Sequence, residues 1–472
     1  MLTLADLIEA LTGSRPAWAH QIITDASVDS RQVIPGSLFV ALPGERVDGH
    51  DFVDQAFSRG ACFALVHREV PGEYRILDLR GTSIPEMAQN CEIPLLLRVE
   101  DSLQALQQIA RFWRKRLNLR VVGITGSVGK STSKELIASV LEQHFSTLKN
   151  PGNLNNEIGL PLTMLRLSEG HQRAVLEMGF YVPGEIKFLC EIARPQVGVI
   201  TNIGTVHAER AGSQEAIARG KAELVQSLPA SPEGVAVLNY DDPLVRAMAE
   251  QTQASVLFYG ISPEADLWAD QIEGLGLDGI RFRLHYRREI LHLRVPLIGR
   301  HSVHTALRAT AVGLAEGLNW QEIFDGLRSG HTQLRLVAVR SQQGALLLDD
   351  TYNASPQSMM AALNLLDEMD GRKVAVLGDM LELGRYELLG HEMVGRRVAE
   401  VAEELITIGE RGRMMAAAAR RVGFSPQQIT EMENSDQAIE LLQEHLHEND
   451  VVLIKGSRGM NMDRIVAALE AR

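Results

Sequence analysis

The sequence predicts an α/β fold that is built largely of parallel sheet and divided into three domains. At 472 residues the chain is too long for a single hydrophobic core. From residue 99 onward, short apolar segments alternate with helical patterns, which is typical of parallel strands covered by helices. Because the pattern changes twice along the chain, we expect domains at 1–98, 99–330 and 331–472.

The first domain is predicted to be a small α/β module. Apolar residues recur at helical spacing near the start of the chain, at Leu4, Leu7, Ile8 and Leu11. They indicate an N-terminal helix. A Pro35-Gly36 turn then precedes an apolar stretch that ends at Leu42, as expected for a strand that follows a tight turn.

The two later domains are predicted from apolar segments with helical patterns between them. In the central domain a helix is expected over 103–117, and strands are expected at 174–178, 197–203, 235–239 and 255–259. An Arg-rich alternating segment at 280–295 favours an antiparallel ribbon. In the third domain strands are expected at 346–348, 374–377, 405–408 and 451–454. They predict a second doubly wound sheet, and ligands of such sheets bind beyond the carboxyl ends of the strands.

Residues 121–134 run from an apolar strand through a glycine turn, a lysine and hydroxyl residues into a helical pattern. Gly126 and Gly129 let backbone amides approach phosphate oxygens, Lys130 supplies a point charge, and the Ser131 hydroxyl suits Mg²⁺. The pattern predicts a nucleoside triphosphate site formed by Thr125, Gly126, Ser127, Val128, Gly129, Lys130, Ser131 and Thr132. The alternative is a chance strand-turn-helix with a stray lysine.

Charge and cysteine content exclude several classes of protein. The formal net charge of −13 argues against a general nucleic-acid binder. Cys62, Cys91 and Cys190 are odd in number and widely spaced, so neither a disulfide framework nor a zinc site is indicated. We find no signal-peptide pattern and no run of about 18 apolar residues. We therefore expect a cytoplasmic protein with a small ligand and no membrane insertion. A monomer is expected as well, although none of these observations gives the oligomeric state.

Polar side chains follow the phosphate loop at three further places. Residues 150–161 are rich in asparagine, and these short amides suit hydrogen bonding to a polar ligand, although asparagines also serve only as turn formers. Glu177 and His207 come at the ends of two strand candidates, where together they can hold a cation. A lone histidine there is often structural, and Lys221 taken alone is an ordinary solvated lysine.

The order of these motifs along the chain resembles that of the Mur ligases. The resemblance rests on residues 125–131, 153–157, 177–179, 201–207, 349–356 and 377–384. It spans nearly the whole chain. Within the family, Asp-Asp-Thr-Tyr-Asn-Ala-Ser-Pro at 349–356 and Gly-Asp-Met-Leu-Glu-Leu-Gly at 378–384 are similar to the member that adds D-alanyl-D-alanine. The Asp-Asn-Pro-Arg motif of the diaminopimelate-adding relatives is absent from the sequence.

The resemblance implies an N-terminal domain for a UDP-sugar, a central P-loop ATPase domain and a Rossmann-like C-terminal domain. It implies that ATP phosphorylates the terminal carboxylate of UDP-N-acetylmuramoyl-tripeptide and that the amine of D-alanyl-D-alanine attacks the acyl phosphate. Lys130, Glu177, His207 and Lys221 would then be catalytic. Two Mg²⁺ ions are expected, and they would be held by Ser131, Glu177, His207 and Lys221. Lys221 matches the family lysine that forms a carbamate with CO₂.

Further residues take their expected roles from the same resemblance. In the third domain Arg335, Asp350 and Asn353 match residues that contact the nucleotide or orient the incoming substrate, and Arg458 matches one that approaches the cleft. Substrate contacts are expected at Ser30, Arg31, Arg46, Asn155 and Asn156.

One departure affects the base of the nucleotide. Relatives have Gly-x-His-Asn-x-x-Asn where this chain has residues 299–305, so that Ser302 and Thr305 replace two asparagines. Hydroxyls reach less far than amides, which puts adenine selectivity by this route in question.

Two other functions remain open. One is an amide ligase of the same architecture that adds a different amino acid or acts on folate or another poly-acid. The other is a nucleotide-gated binding or scaffold protein that ligates nothing. It predicts no ADP release that depends on both the UDP-sugar peptide and the dipeptide.

Overall fold

The computed structural model describes residues 1–44, 46–81, 93–205, 208–329 and 337–471. The chain forms two compact units. The first unit consists of Met1–Gly123, Phe145–Gly179 and Glu185–Val197. The second consists of Ile124–His144, Phe180–Gly184 and Gly198–Arg472. The domain limits expected from the sequence, near residues 98 and 330, stay predictions.

The N-terminal part of the first unit contains a five-stranded parallel sheet in the order β1-β2-β3-β5-β4. Its strands are Ala26–Ser27 (β1), Leu38–Val40 (β2), Phe63–Val66 (β3), Arg75–Asp78 (β4) and Leu95–Arg98 (β5). The helices are Leu4–Thr12 (α1), Val53–Ser58 (α2) and Ser102–Arg116 (α3). Thr3 and Asp6 form a capping box that begins α1, which confirms the expected N-terminal helix.

The middle of the chain contains the strands Arg120–Thr125 (β6), Thr147–Lys149 (β7), Arg173–Glu177 (β8), Val197–Ile200 (β9), Val235–Asn239 (β10), Ser255–Gly260 (β11), Leu267–Gly274 (β12), Ile280–Tyr286 (β13) and Glu289–Val295 (β14). In the first unit β7 and β8 are parallel neighbours. In the second unit the order is β14-β13-β12-β11-β10-β9-β6. β12, β13 and β14 pair antiparallel, which confirms the expected ribbon at 280–295.

Eight helices lie in the described part of this stretch. They are Lys130–Leu141 (α4), Gly159–Leu165 (α5), Glu185–Ala193 (α6), Ala208–Ala211 (α7), Gln214–Gln226 (α8), Pro243–Arg246 (α9), Val303–Ala315 (α10) and Trp320–Ser329 (α11). Strand β9 ends at Ile200, three residues earlier than the sequence predicts, because Thr201 and Asn202 leave the sheet and bond to the turn after β6.

The C-terminal part of the second unit contains a six-stranded sheet in the order β15-β16-β20-β17-β18-β19. Its strands are Val337–Arg340 (β15), Leu346–Asp349 (β16), Arg372–Gly378 (β17), Glu404–Ile408 (β18), Ile429–Met432 (β19) and Asp450–Lys455 (β20). Only the edge strand β15 is antiparallel among these described strands. The helices are Pro356–Glu368 (α12), Glu387–Val401 (α13), Gly412–Arg421 (α14), Ser435–His445 (α15) and Asp463–Leu469 (α16).

Two hydrophobic clusters cover the two faces of this sheet. Leu348 and Leu377 face the cluster that includes side chains of α12, α13 and α14. Their neighbours Leu347 and Val376 face the cluster that includes side chains of α15 and α16. Alternate residues of a strand point to opposite faces, so both faces are buried. The expected doubly wound sheet is confirmed. No helix in the described ranges is long and apolar enough to cross a membrane.

Candidate active site

The phosphate loop connects the end of β6 to the beginning of α4, as the sequence predicts. Gly126 has φ +147°, and a Cβ atom there would lie 1.8 Å from the Thr201 hydroxyl oxygen. Gly129 precedes α4 with φ +81°. Residues with a side chain rarely adopt these positive values of φ, so positions 126 and 129 both need glycine. Ile124, which stands where the general phosphate-loop motif has its first glycine, is a fully buried strand residue.

Residues 201–204 hold the loop in place. The Thr201 hydroxyl donates to the Val128 carbonyl at 2.7 Å, and the Val128 N–H donates to the Asn202 side-chain oxygen at 2.9 Å. The Ser127 hydroxyl accepts the Gly204 N–H at 2.8 Å. The Ser127 N–H is also used, since it donates to the Asn202 carbonyl. The N–H groups of Ser127 and Val128 are therefore occupied within the protein, whereas the loop leads directly into the N-terminal turn of α4, where a helix binds anions.

Two lysines meet at the loop. Lys130 Nζ donates to the Gly126 carbonyl at 2.9 Å, and Lys221 Nζ donates to the same oxygen at 3.0 Å. Lys221 lies on α8 with 1% of the residue exposed, and its Nζ is 4.6 Å from the centre of the Phe180 ring. The alternative that Lys221 is a solvated lysine is therefore wrong.

A cavity of about 190 Å³ lies next to the loop within the second unit. One wall consists of the loop and the beginning of α4. The others come from the segment before α10 and from the turn and helix after β16. Its polar lining includes Ser127, Lys130, Thr132, His301, Ser302, Thr305, Asp350, Asn353, Ser355, Ser358 and Lys455. The cavity thus brings the phosphate loop together with Asp350 and Asn353. These are two residues of the third predicted domain, for which the family resemblance implies contact with the nucleotide.

The cavity also contains a neutral imidazole. His301 is an exposed residue of the cavity wall, but the protein atoms around its ring reduce hydration of the charged form, and this desolvation is the main reason that its pKa falls to about 4. The positive charges of His304, Lys455 and Arg308 lower it further. His301 therefore adds no positive charge to the cavity at neutral pH.

Comparison with known proteins identifies the family. Residues 124–313 match the Mur ligase middle domain, 334–458 match the glutamate ligase domain of Mur ligases, and 23–114 match the catalytic domain of the Mur ligase family. A Bacillus subtilis protein named UDP-N-acetylmuramoyl-tripeptide–D-alanyl-D-alanine ligase is 34% identical, over 99% of this chain and 98% of its own length. The chain belongs to the Mur ligase family.

Other members resemble this Mur ligase over the same extent. The Escherichia coli protein of the same name is 33% identical over 99% of this chain and 98% of its own length. A crystal structure of MurF from Acinetobacter baumannii has a TM-score of 0.83 and 31% identity, and it covers 98% of this chain and 97% of that one. MurF ligase from Thermotoga maritima, solved in complex with ADP, has a TM-score of 0.76 and 28% identity over the same shares.

The first unit of this Mur ligase holds Glu177 and the asparagine loop. Glu177 is 2% exposed, and its Oε1 accepts a hydrogen bond from the Asn155 side chain at 2.8 Å. Asn150 bonds to both the N–H and the carbonyl of Glu177, and the Asn156 side chain accepts the Gly159 N–H at the beginning of α5. Asn150 therefore ties the loop to the end of β8, Asn156 supports the beginning of α5 through its side-chain oxygen, and Asn155 orients the carboxylate.

Several of the predicted residues lie elsewhere or outside the described ranges. His207 and Arg335 fall outside the described residues. Ser30 is buried and donates to the Gln55 side chain at 2.6 Å, while the Arg31 side chain is 77% exposed beside Asp29. Arg46 is exposed. Within the described ranges, no three His, Cys, Asp or Glu side chains are grouped closely enough to hold a metal ion.

Sequence analysis assigned no role to Arg308, which supports the beginning of α4. Arg308 is 5% exposed and donates to the Ser133 hydroxyl, which donates in turn to the Gly129 carbonyl. A Cβ atom on Gly129 would lie 3.2 Å from the Arg308 guanidinium. The available signal was an arginine within the apolar stretch of α10, because a buried charge in such a helix needs a polar partner.

Proposed function

We propose that this Mur ligase joins D-alanyl-D-alanine to UDP-N-acetylmuramoyl-tripeptide with hydrolysis of ATP to ADP and phosphate. The observation that carries the proposal is the extent of the match, since relatives with this named activity align with 99% of the chain. The reaction belongs to the cytoplasmic stage of peptidoglycan synthesis. We propose with it a division into a UDP-sugar-binding domain at 1–98, an ATP-binding domain at 99–330 and a Rossmann-like ligase domain at 331–472.

ATP would bind in the cavity of the second unit. Its phosphates would lie at the N-terminal turn of α4, where backbone N–H groups and Lys130 favour negative charge. The remainder of the nucleotide would extend toward Ser302 and Thr305 and be covered by Asp350 and Asn353. All five side chains named here line that cavity or its loop, which supports this orientation.

The chemistry explains why the reaction needs such a site. A carboxylate is a poor electrophile, and bringing it to the γ-phosphate places two anions together. Phosphorylation gives an acyl phosphate, and the free amine of the dipeptide then attacks its carbonyl carbon and releases phosphate. In this scheme Lys130 stabilises charge on the transferred phosphoryl group, and the bonds from Thr201 and Asn202 keep the loop fixed during transfer.

Mg²⁺ would neutralise the oxygens that meet at the transfer point. The proposed ligands are Ser131, Glu177, His207 and Lys221, the last as a carbamate, with two ions in all. The hydroxyl of Ser131, the carboxylate of Glu177 and a carbamate on Lys221 are hard oxygen donors, which Mg²⁺ prefers, and His207 would add an imidazole nitrogen. The buried Glu177 carboxylate is already oriented by Asn155 through one oxygen.

Lys221 is the proposed carbamate. Carbamylation needs a neutral amine that can attack CO₂, and lysines withdrawn from water lose their proton most readily. Lys221 is withdrawn in this way, against Phe180. The carbamate keeps one N–H, which can still donate to the Gly126 carbonyl and hold the new carboxylate group in position. The proposed substrate contacts are Ser30, Arg31, Arg46, Asn155 and Asn156.

The direct test is phosphate release from ATP with UDP-N-acetylmuramoyl-tripeptide, with and without D-alanyl-D-alanine, together with mass detection of the pentapeptide product. We expect product only when all three substrates are present. Turnover with a single amino acid or a folate acceptor in place of the dipeptide would keep the ligase chemistry and overturn the substrate assignment. No ADP release with any acceptor would favour a binding protein.

A further inference from the structure

The buried lysine at the end of β20 is not used by the proposed mechanism. β16 and β20 are parallel neighbours in register, with Asp349 opposite Ile454. Asp350 directly follows β16, and Lys455 is the last residue of β20. The Asp350 N–H donates to the Ile454 carbonyl at 3.0 Å. The sheet itself places the carboxylate and the ammonium group side by side.

The ammonium group of Lys455 is surrounded by acceptors from one turn. Lys455 Nζ lies 2.6 Å from Asp350 Oδ2, donates to the Asn353 carbonyl at 2.8 Å and lies 3.4 Å from the Asp350 carbonyl. Its side chain is 2% exposed, against 17% for Asp350. An ammonium group has three hydrogens, and three acceptors of the 350–353 turn surround it.

We propose that Lys455 is a positioning residue that fixes the Asp350–Asn353 turn in the wall of the nucleotide cavity. Asp350, Asn353 and Lys455 all line the cavity that Lys130 lines from the other side. Because its hydrogens are directed at the turn, Lys455 acts on the nucleotide through Asp350 and Asn353 and is not a phosphate ligand. The proposal rests on the proposed ATP site.

Lysine suits this position for a physical reason. The turn offers a carboxylate and two carbonyl oxygens within reach of Lys455 Nζ, and an ammonium group that is almost excluded from solvent needs such acceptors. A compact ammonium on a flexible stem can reach all three from one strand end, whereas the planar donors of arginine are arranged for a different geometry. Replacement by methionine keeps much of the volume but leaves the acceptors without their donor.

The test compares Lys455→Met with Lys455→Arg in the full-length protein. The dissociation constant of ADP and that of a non-hydrolysable ATP analogue are measured by calorimetry, and the KM values for ATP and for the UDP-linked peptide by turnover. We expect Lys455→Met to weaken both nucleotides by the same factor, on the order of 10- to 100-fold, because a displaced binding group costs that much. The KM for the UDP-linked peptide should stay unchanged, and Lys455→Arg should recover part of the loss.

Lys373 provides a matched control at the opposite end of the same sheet. It lies near the start of β17, donates to the Asp367 carbonyl at 2.9 Å and is 17% exposed. Lys373→Met also removes a lysine that bonds to an aspartate, but Lys373 lies at the end of the sheet that is away from the cavity wall. We expect it to leave nucleotide binding unchanged, so that a general loss of sheet stability is separated from a local effect.

Three results would overturn the proposal. The first is wild-type affinity for ADP in Lys455→Met. The second is a loss of affinity for the triphosphate analogue alone, which is expected of a phosphate ligand. The third is an equal loss of nucleotide affinity in Lys373→Met. If Lys455→Met does not fold, Asp350→Asn with and without Lys455→Arg is measured instead, and additive effects on ADP affinity would contradict the coupling. ADP affinity does not depend on the peptide substrates, so failure of the proposed ligase reaction is seen separately.

Discussion

Lys130 and Lys221 donate to one and the same acceptor, the main-chain carbonyl of Gly126, at 2.9 and 3.0 Å. The two lysines are 91 positions apart in the sequence and lie on α4 and α8. Two ammonium groups at one carbonyl repel each other, so an added negative charge at either lysine relieves that repulsion. Both a bound triphosphate and a carbamate on Lys221 have that charge.

Replacement of Lys221 separates binding from turnover. We expect Lys221→Ala to bind ADP within about twofold of the wild type but to lose ligation by on the order of 10³-fold, since a group that orients charge in the transition state is removed. Short carboxylic acids such as acetate should restore part of the rate. Arg219→Ala, an exposed cation two residues earlier on α8, is the control and should keep full activity. Wild-type turnover of Lys221→Ala without added acid would remove the carbamate proposal.

Replacement of Lys130 acts on the phosphates. We expect Lys130→Ala to abolish ATP hydrolysis, a loss of at least about 10³-fold, because the charge beside the phosphates is lost at the loop itself. Lys130→Arg keeps the charge but not the compact geometry, and we expect it to stay well below wild-type activity. Phosphate release and binding of the UDP-linked peptide are measured together. Loss of peptide binding in Lys130→Ala would indicate a folding defect.

Gly126 should tolerate no side chain. Gly126→Ala combines an unfavourable φ with a Cβ atom 1.8 Å from the Thr201 hydroxyl oxygen. We expect it to lose nucleotide binding and to destabilise the protein by more than the strain of about 1–3 kcal/mol alone. Gly423→Ala is the matched control, since Gly423 has φ +97° but no atom within 4 Å of the added Cβ. Chemical denaturation of the two variants measures the difference, and equal losses would show that the contact with Thr201 has no cost.

Selectivity for the base should be modest. Ser302 and Thr305 line the cavity, and the Ser302 hydroxyl donates to the Ile298 carbonyl at 2.7 Å. A hydroxyl group accepts a hydrogen bond as readily as it donates one. It therefore discriminates between the amino group of adenine and the oxo group of guanine less strongly than a pair of amide side chains does. We expect kcat/KM for ATP to exceed that for GTP by less than about 100-fold, whereas matched hydrogen-bonding sites reach about 10⁴-fold. A ratio of 10⁴ would mean that other groups select adenine.

His391 should make the stability of the protein depend on pH. It is fully buried, and burial is the main cause of its lowered pKa. Its Nε2 accepts the Met380 N–H at 3.1 Å, so protonation breaks that bond. The unfolded chain binds a proton below its ordinary pKa of about 6.5 while the folded protein does not, so the free energy of unfolding should decrease as pH falls below that value. Urea titrations at pH 7 and 5 should show a smaller decrease in His391→Gln.

The sequence predicted the parts of the structure that depend on local pattern. The strand, glycine turn and helix at 121–134 are present because glycine spacing and apolar periodicity are read over a few residues. Strand β12 was missed because its alternation is broken, since Gln271 has φ +47° and the pairing with β13 shifts register between Asp270 and Glu273. A bulge of this kind interrupts the period on which sequence analysis relies.

Side-chain pairings between distant segments were beyond the sequence. Lys455 meets the 350–353 turn across more than a hundred residues, and Arg308 meets Ser133 across 175. Such pairs depend on which strands and helices become neighbours, and the periodicity of one segment does not contain that order. The resemblance directed attention to Arg458 after the last strand, but only the adjacency of β16 and β20 shows that Lys455 contacts the 350–353 turn.

The position of β20 in its sheet has a consequence for biosynthesis. It is the last strand to be synthesised among those described, yet it lies between β16 and β17 and pairs with both. A nascent chain that ends before Asp450 therefore lacks a strand from the middle of the sheet. The parallel pairing of β20 with β16 joins segments about a hundred residues apart, and it forms late because the long loop between them must close first. A chain that terminates before Asp450 would therefore keep a complete phosphate loop but lack the strand that holds the Asp350–Asn353 turn in the wall of the nucleotide cavity.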